Sequence, residues 1–268
     1  MFASAWIAAL GALFVWWFST GAILCLVKHG DKWGGEWPLR LTFWALPMLF
    51  MGAGLMQVSA NWLTPLGAYM GFASAIFLWG WIELAFLSGV ITGPNQTPCP
   101  ENVPGWERFI RAWGTLAYHE IMLVGFLVIL WAFQIYMLNH IALMTFAVLY
   151  MARLSAKLNL YLGVPRINTE FLPKALTHLP SHFRHRRLNW LFPVSVTALT
   201  ALSAYFGFCL WSAVSPFETV GFSLLTAITV LATFEHWVMI LPVPDDKLWR
   251  WMLPSQAPKN TTSTRTAP

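Results

Sequence analysis

Five residues in this chain combine the chemistry of proton exchange and ligation with an unusual location: Glu83, His119, Glu120, Glu235 and His236. All lie inside long apolar stretches. A carboxylate there costs a few kcal/mol on insertion scales, about 2.5–3.5 at a helix centre, so such residues turn inward and take a partner. Two of the three acids carry an adjacent histidine, His119-Glu120 and Glu235-His236. Four readings fit these types. The bland one is an interhelical polar cluster in which protonated or His-paired carboxylates tie helices together. The second is tetrapyrrole handling, with a neutral imidazole of His119 or His236 on a chlorin magnesium or a haem iron. The third is a metal site. Di-iron bundles use Glu-x-x-His spacing, one turn apart, whereas adjacent residues point about 100° apart on a helix, so metal is disfavoured. The fourth is a proton or ion pathway.

The elements that must position these residues are membrane spans. Of 268 residues, 57% are hydrophobic and 10% charged, against about 25% charged in a soluble domain. That excludes a soluble enzyme, a disordered chain and a nucleic-acid binder. A spanning helix needs about 20 mostly apolar residues, and seven stretches qualify: 2–27, 41–60, 66–91, 112–133, 138–158, 191–211 and 219–241. Period-two alternation, the mark of a membrane barrel, is absent. The expected fold is all-α, a polytopic bundle of seven transmembrane helices in one domain over 1–253, with a disordered tail over 254–268. The first span lacks a basic flank and a cleavage site, so it is read as a retained helix.

Orientation follows from Lys and Arg. All 16 fall in the first, third and fifth connections, the end of the fifth span, and the tail. This predicts an N-terminus outside and a C-terminus in the cytoplasm. Trp33, Trp37, Trp106, Trp113, Trp190, Trp249 and Trp251 then mark one boundary, and Trp6, Trp62, Trp131 and Trp211 the other. In this frame the three acids sit at one level, roughly 9 to 14 Å inside the cytoplasmic boundary at 1.5 Å per residue. Arg153 and Lys157, spaced i, i+4, share one face. They are expected to snorkel to headgroups, with pairing of Arg153 to Glu83, Glu120 or Glu235 as the alternative. His140 reads as a boundary residue, and Gly67-x-x-x-Gly71 allows a close helix approach. Cys25, Cys99 and Cys209 form no disulfide framework.

The connection over 161–190 predicts a short helix capped by Asn168 or Thr169, with Phe171, Leu172, Ala175, Leu176 and Leu179 as its apolar side. With Arg184, Arg186 and Arg187 behind it, this segment is expected to lie on the bilayer and attract anionic headgroups. His178, His182 and His185 are not expected to bind metal, because Pro180 interrupts the helix and the arginines repel cations.

Two regions carry a resemblance. One runs Arg153-Leu-Ser-Ala-Lys-Leu-Asn159, Leu162-Gly-Val-Pro165, Asn168, Glu170-Phe-Leu-Pro173 and Leu191-Phe-Pro-Val-Ser-Val-Thr197. The other runs Phe234-Glu-His-Trp237, Leu241-Pro-Val-Pro-Asp-Asp246 and Leu248-Trp-Arg-Trp251. Together they resemble the photosynthetic complex assembly protein 2 family (PuhE), over the whole chain except the tail. The resemblance implies an inner or intracytoplasmic membrane of an anoxygenic phototroph. It also implies a role in assembling reaction-centre and light-harvesting complexes, or in modulating bacteriochlorophyll supply. The implied partners are subunits of those complexes or pigment-synthesis proteins, and the implied pigment is bacteriochlorophyll or a precursor. It supplies no catalytic residue. The rival readings are a metal-dependent membrane oxidoreductase acting on a tetrapyrrole or other apolar substrate, and a proton-coupled transporter.

Overall fold

A computed structural model describes residues 3–169 and 172–242. The 254–268 tail, Trp249, Trp251, Glu170 and Phe171 lie outside the described residues. The described residues form nine α-helices: α1 (Ala5–Trp33), α2 (Trp37–Trp44), α3 (Leu46–Ser59), α4 (Pro65–Leu87), α5 (Gly105–Gly114), α6 (Ala117–Gln134), α7 (Ile141–Leu162), α8 (Leu191–Trp211) and α9 (Pro216–Val238). Seven spans are long and apolar enough to cross a membrane, α2 and α3 together making the second. That span breaks at Ala45 because Pro47, at the start of α3, has no N–H to continue the ladder.

The central helix is α4. In its most apolar stretch 72% of residues are buried, against 17% in α8. It is hydrophobic all round, as a helix enclosed by others must be. On one side it packs with α1, α7 and α9 through Ala8, Phe72, Ile76, Leu224 and Ile228. On the other it meets α3, α6 and α7 through Met56, Leu78, Ile82, Leu123 and Phe146. Two glycines permit these approaches. A Cβ on Gly52 would lie 2.8 Å from Leu78, and one on Gly71 would lie 3.2 Å from Ile141. The expected close approach in the Gly67-x-x-x-Gly71 pair is thus made at Gly71.

One end of the bundle is closed by side chains that satisfy exposed backbone. Thr64 caps α4 ahead of Pro65, and Ser215 with Glu218 forms a capping box ahead of α9. The amide of buried Asn139 donates to Ser59 O and Gly67 O. The other end carries the basic residues among those described and a folded cap. Lys28 Nζ donates to Leu172 O, Lys174 N to Asp31 Oδ2, and Cys99 N to Ser181 Oγ. The short helix expected in the 161–190 connection is replaced by two 3₁₀ turns, Lys174–Leu176 and Leu179–His182. Its apolar side turns into the protein, not onto lipid: Leu176 and Leu179 are buried against Phe86. Pro173 and Pro180 prevent a continuous helix. The tryptophans do ring the bundle, with Trp33, Trp106 and Trp190 exposed at the basic end and Trp6, Trp131 and Trp211 at the other. The three cysteines are free.

Candidate functional site

Glu83 lies four residues before the end of α4, and Glu120 three residues into α6. On α7, Lys157 lies five residues before the end, with Arg153 one turn deeper. At 1.5 Å per residue, Glu83, Glu120 and Lys157 sit about 4.5 to 7.5 Å inside their helix ends. Glu235, the third acid expected at that level, lies three residues before the end of α9, about 4.5 Å inside it. Both α4 and α9 end, and α6 begins, nearer the three acids than the hydropathy suggested.

The i, i+4 pair on α7 faces inward. Arg153 Nη2 donates to Glu83 Oε2 at 2.9 Å, and Lys157 Nζ donates to Glu120 Oε1 at 2.6 Å. Snorkelling is overturned for both residues. The reason is electrostatic: Glu83 and Glu120 are 6% and 2% exposed, and a buried carboxylate attracts the nearest cation more strongly than a headgroup can. Two acids and two bases therefore link α4, α6 and α7 at no net charge. Pairing of Arg153 with Glu83 is one of the alternatives the sequence offers. Pairing of Lys157 is not singled out there, although the shared face implies that it turns in with Arg153.

His119 is fully buried beside this network. Its ring packs on Phe86 at 4.2 Å between centroids, and Lys157 Nζ lies 5.3 Å from the same ring. His119 Nε2 is 3.9 Å from Glu83 Oε1. Neither of its ring nitrogens, nor Glu83 Oε1, has a hydrogen-bond partner among the described residues.

His236 belongs to a different network. Ser155 is two residues from both Arg153 and Lys157, hence about 200° around α7 from each. Its hydroxyl meets His236 Nε2 at 2.9 Å, while His236 Nδ1 contacts Ala232 O at 2.8 Å. Asn159, one turn on, donates to Ser155 O and Ser195 Oγ and accepts from Asn189 Nδ2. Asn189 Oδ1 in turn accepts the first amides of α8, Leu191 N and Phe192 N. Asn159 and Asn189 were not singled out from sequence; an asparagine placed just before an apolar helix start was the available signal. Glu235 is half-buried and has no ion-pair partner among the described residues.

The five expected residues thus divide. Glu83, His119 and Glu120 share one network with Arg153 and Lys157, and His236 faces the opposite side of α7. Among the described residues, no three His, Cys, Asp or Glu side chains are placed to hold one metal ion. Both His236 nitrogens are engaged, and His119 Nε2 stands 3.9 Å from a carboxylate oxygen. In this arrangement the chemistry available is structural ion pairing, with one buried histidine beside it.

The chain is 50% identical over 258 residues, 93% of its own length and 91% of the relative's, to a Rhodobacter capsulatus protein described as an uncharacterized 30.4 kDa protein in the puhA 5′ region. No solved structure matches it. A family model described as protein of unknown function, DUF3623, matches residues 2–260, and the chain belongs to that family.

Proposed function

We propose that the chain is a non-catalytic, multi-pass factor for assembling bacterial reaction-centre and light-harvesting complexes, or for supplying them with bacteriochlorophyll, in the manner of photosynthetic complex assembly protein 2. The observation that carries this reading is the half-identical relative in the puhA 5′ region, together with the resemblance of the quoted motifs. The proposed membrane is the bacterial inner or intracytoplasmic membrane, with the basic end in the cytoplasm and the N-terminus outside. Exposed Arg186 and Arg187, with Arg184, would meet anionic headgroups there.

The geometry supports a scaffolding role for the cluster in preference to pigment ligation. A chlorin metal on His119 would require the fully buried imidazole to be opened to a macrocycle and its Phe86 stack to part. One on His236 would displace Ser155. The oxidoreductase and transporter readings draw less support, because Glu83 and Glu120 already hold cations.

The test is removal of the gene from a phototrophic host and near-infrared spectroscopy of the membranes. Loss of reaction-centre or antenna absorption, restored by the wild-type chain, is expected. Unchanged levels of both complexes would sink the proposal.

A further inference from the structure

The strongest further feature is α5, which the hydropathy reading leaves mostly in the third connection, with only 112–114 at the start of the fourth span. None of its residues is buried. At 100° per residue, Trp106, Phe109, Ile110 and Trp113 fall within about 100° of arc, and Arg108 lies opposite. The stripe is uncovered: Trp106 is 74% exposed, Ile110 48% and Trp113 43%. Arg108 instead reaches into the cap, donating to His182 O at 2.7 Å and Phe183 O at 3.0 Å.

The position of α5 is fixed at both ends. Its last residue, Gly114, is separated from the start of α6 only by the turn at Thr115 and Leu116. Its first residue, Gly105, accepts from Tyr161 Oη, one residue before the end of α7. Phe109 packs edge-on against that tyrosine, and Arg108 and Arg184 lie over its ring. The helix therefore runs between the basic-end termini of two membrane spans. A segment held across two such termini lies along the boundary plane, not out into water.

We propose that α5 is an interfacial anchor: it lies along the basic boundary of the bilayer with Trp106, Ile110 and Trp113 in the lipid and Arg108 locked to the protein cap. Its occupant is lipid, because the stripe is tryptophan-flanked at the level where aromatic belts form and its polar side is consumed by the chain itself. The anchor holds the cap over the Glu83–His119 network, since Arg108 ties α5 to the turn carrying buried His182. This inference does not depend on the photosynthetic reading.

The test uses the full chain, with cysteines replaced by serine, in vesicles of phosphatidylcholine and phosphatidylglycerol. Nitroxide labels are placed singly at Trp106→Cys, Ile110→Cys and Glu107→Cys; no residue of α5 is buried, so the bundle stays folded. Collision with molecular oxygen is expected to exceed collision with a water-soluble nickel chelate severalfold at 106 and 110, with the ratio lower at 107. Nickel access at 106 and 110 equal to that at 107 would overturn the proposal. So would exclusion of both reagents there, which marks a protein partner, including a second copy. Ile110→Cys keeps both tryptophans and decides the matter if Trp106→Cys is poorly expressed.

Discussion

Replacing Lys157 by methionine removes the cation and keeps most of the side-chain volume. Glu120 is 2% exposed and its bond to Lys157 is 2.6 Å long, so the stranded carboxylate has no solvent to turn to. It can remain charged, or take a proton. Protonating an ordinary glutamate at pH 7 costs about 1.36 kcal/mol for each of the roughly 2.7 units separating it from 4.3, or about 3.7 kcal/mol. That agrees with the about 3–5 kcal/mol typical when one partner of a buried pair is removed. Lys157→Met should therefore lose about 3–4 kcal/mol of stability. Adding Glu120→Gln removes the stranded charge, and the double variant should recover most of that loss. The assay is denaturation of the purified protein in mixed micelles, followed by circular dichroism. A single variant within about 0.5 kcal/mol of wild type, the usual span of neutral surface changes, would refute the reasoning. So would a double variant no better than the single.

Arg153→Met strands Glu83, 6% exposed, in the same way and should also cost about 3 kcal/mol; the same titration measures it. Asn189→Ala should cost about 2 kcal/mol, since it strands the first amides of α8 and Asn159 Oδ1. Burial holds the imidazoles of His178 and His182 below the ordinary histidine range, and Arg108 and Arg111 facing His182 push the same way. A base depressed in the folded state stabilises the cap above its unfolded value of about 6.5, and that stability is lost as pH falls below it. A nitroxide at exposed Thr177 should thus become more mobile at pH 5 than at pH 7.5, and unchanged spectra would contradict this. Protein purified from a pigment-synthesising host should show no chlorin absorption that depends on His119 and His236. A band abolished by His119→Ala with His236→Ala would establish ligation instead.

The seven spans were legible because each needs only length and apolarity. Glu83 and Glu120 were legible as inward residues because a charge inside lipid is costly wherever it points. The direction of Arg153 and Lys157 was not: i, i+4 spacing states that they share a face, and both lipid headgroups and buried acids lie within reach of such side chains. The same ambiguity misplaced the 161–190 connection. Leu176 and Leu179 do belong to one apolar side, but a sequence does not reveal that Phe86 and Leu116 wait beneath them. Conversely, α5 carries the uncovered stripe that the 161–190 connection was expected to have, hidden because its residues divide between the third connection and the start of the fourth span at 112. The division of the Glu/His set across α7 turns on Ser155, a residue too ordinary to attract notice until His236 is seen beside it.

If the chain supports photosynthetic complexes as a scaffold, its ion pairs hold helices together and do no chemistry. Complementation of a deletion strain with the Lys157→Met, Glu120→Gln double variant tests it most directly, with membrane levels of the variant checked alongside near-infrared absorption. The double variant, present at wild-type level, should restore complex absorption as wild type does. A double variant that accumulates normally yet restores nothing would contradict it, because the charges themselves would then be required.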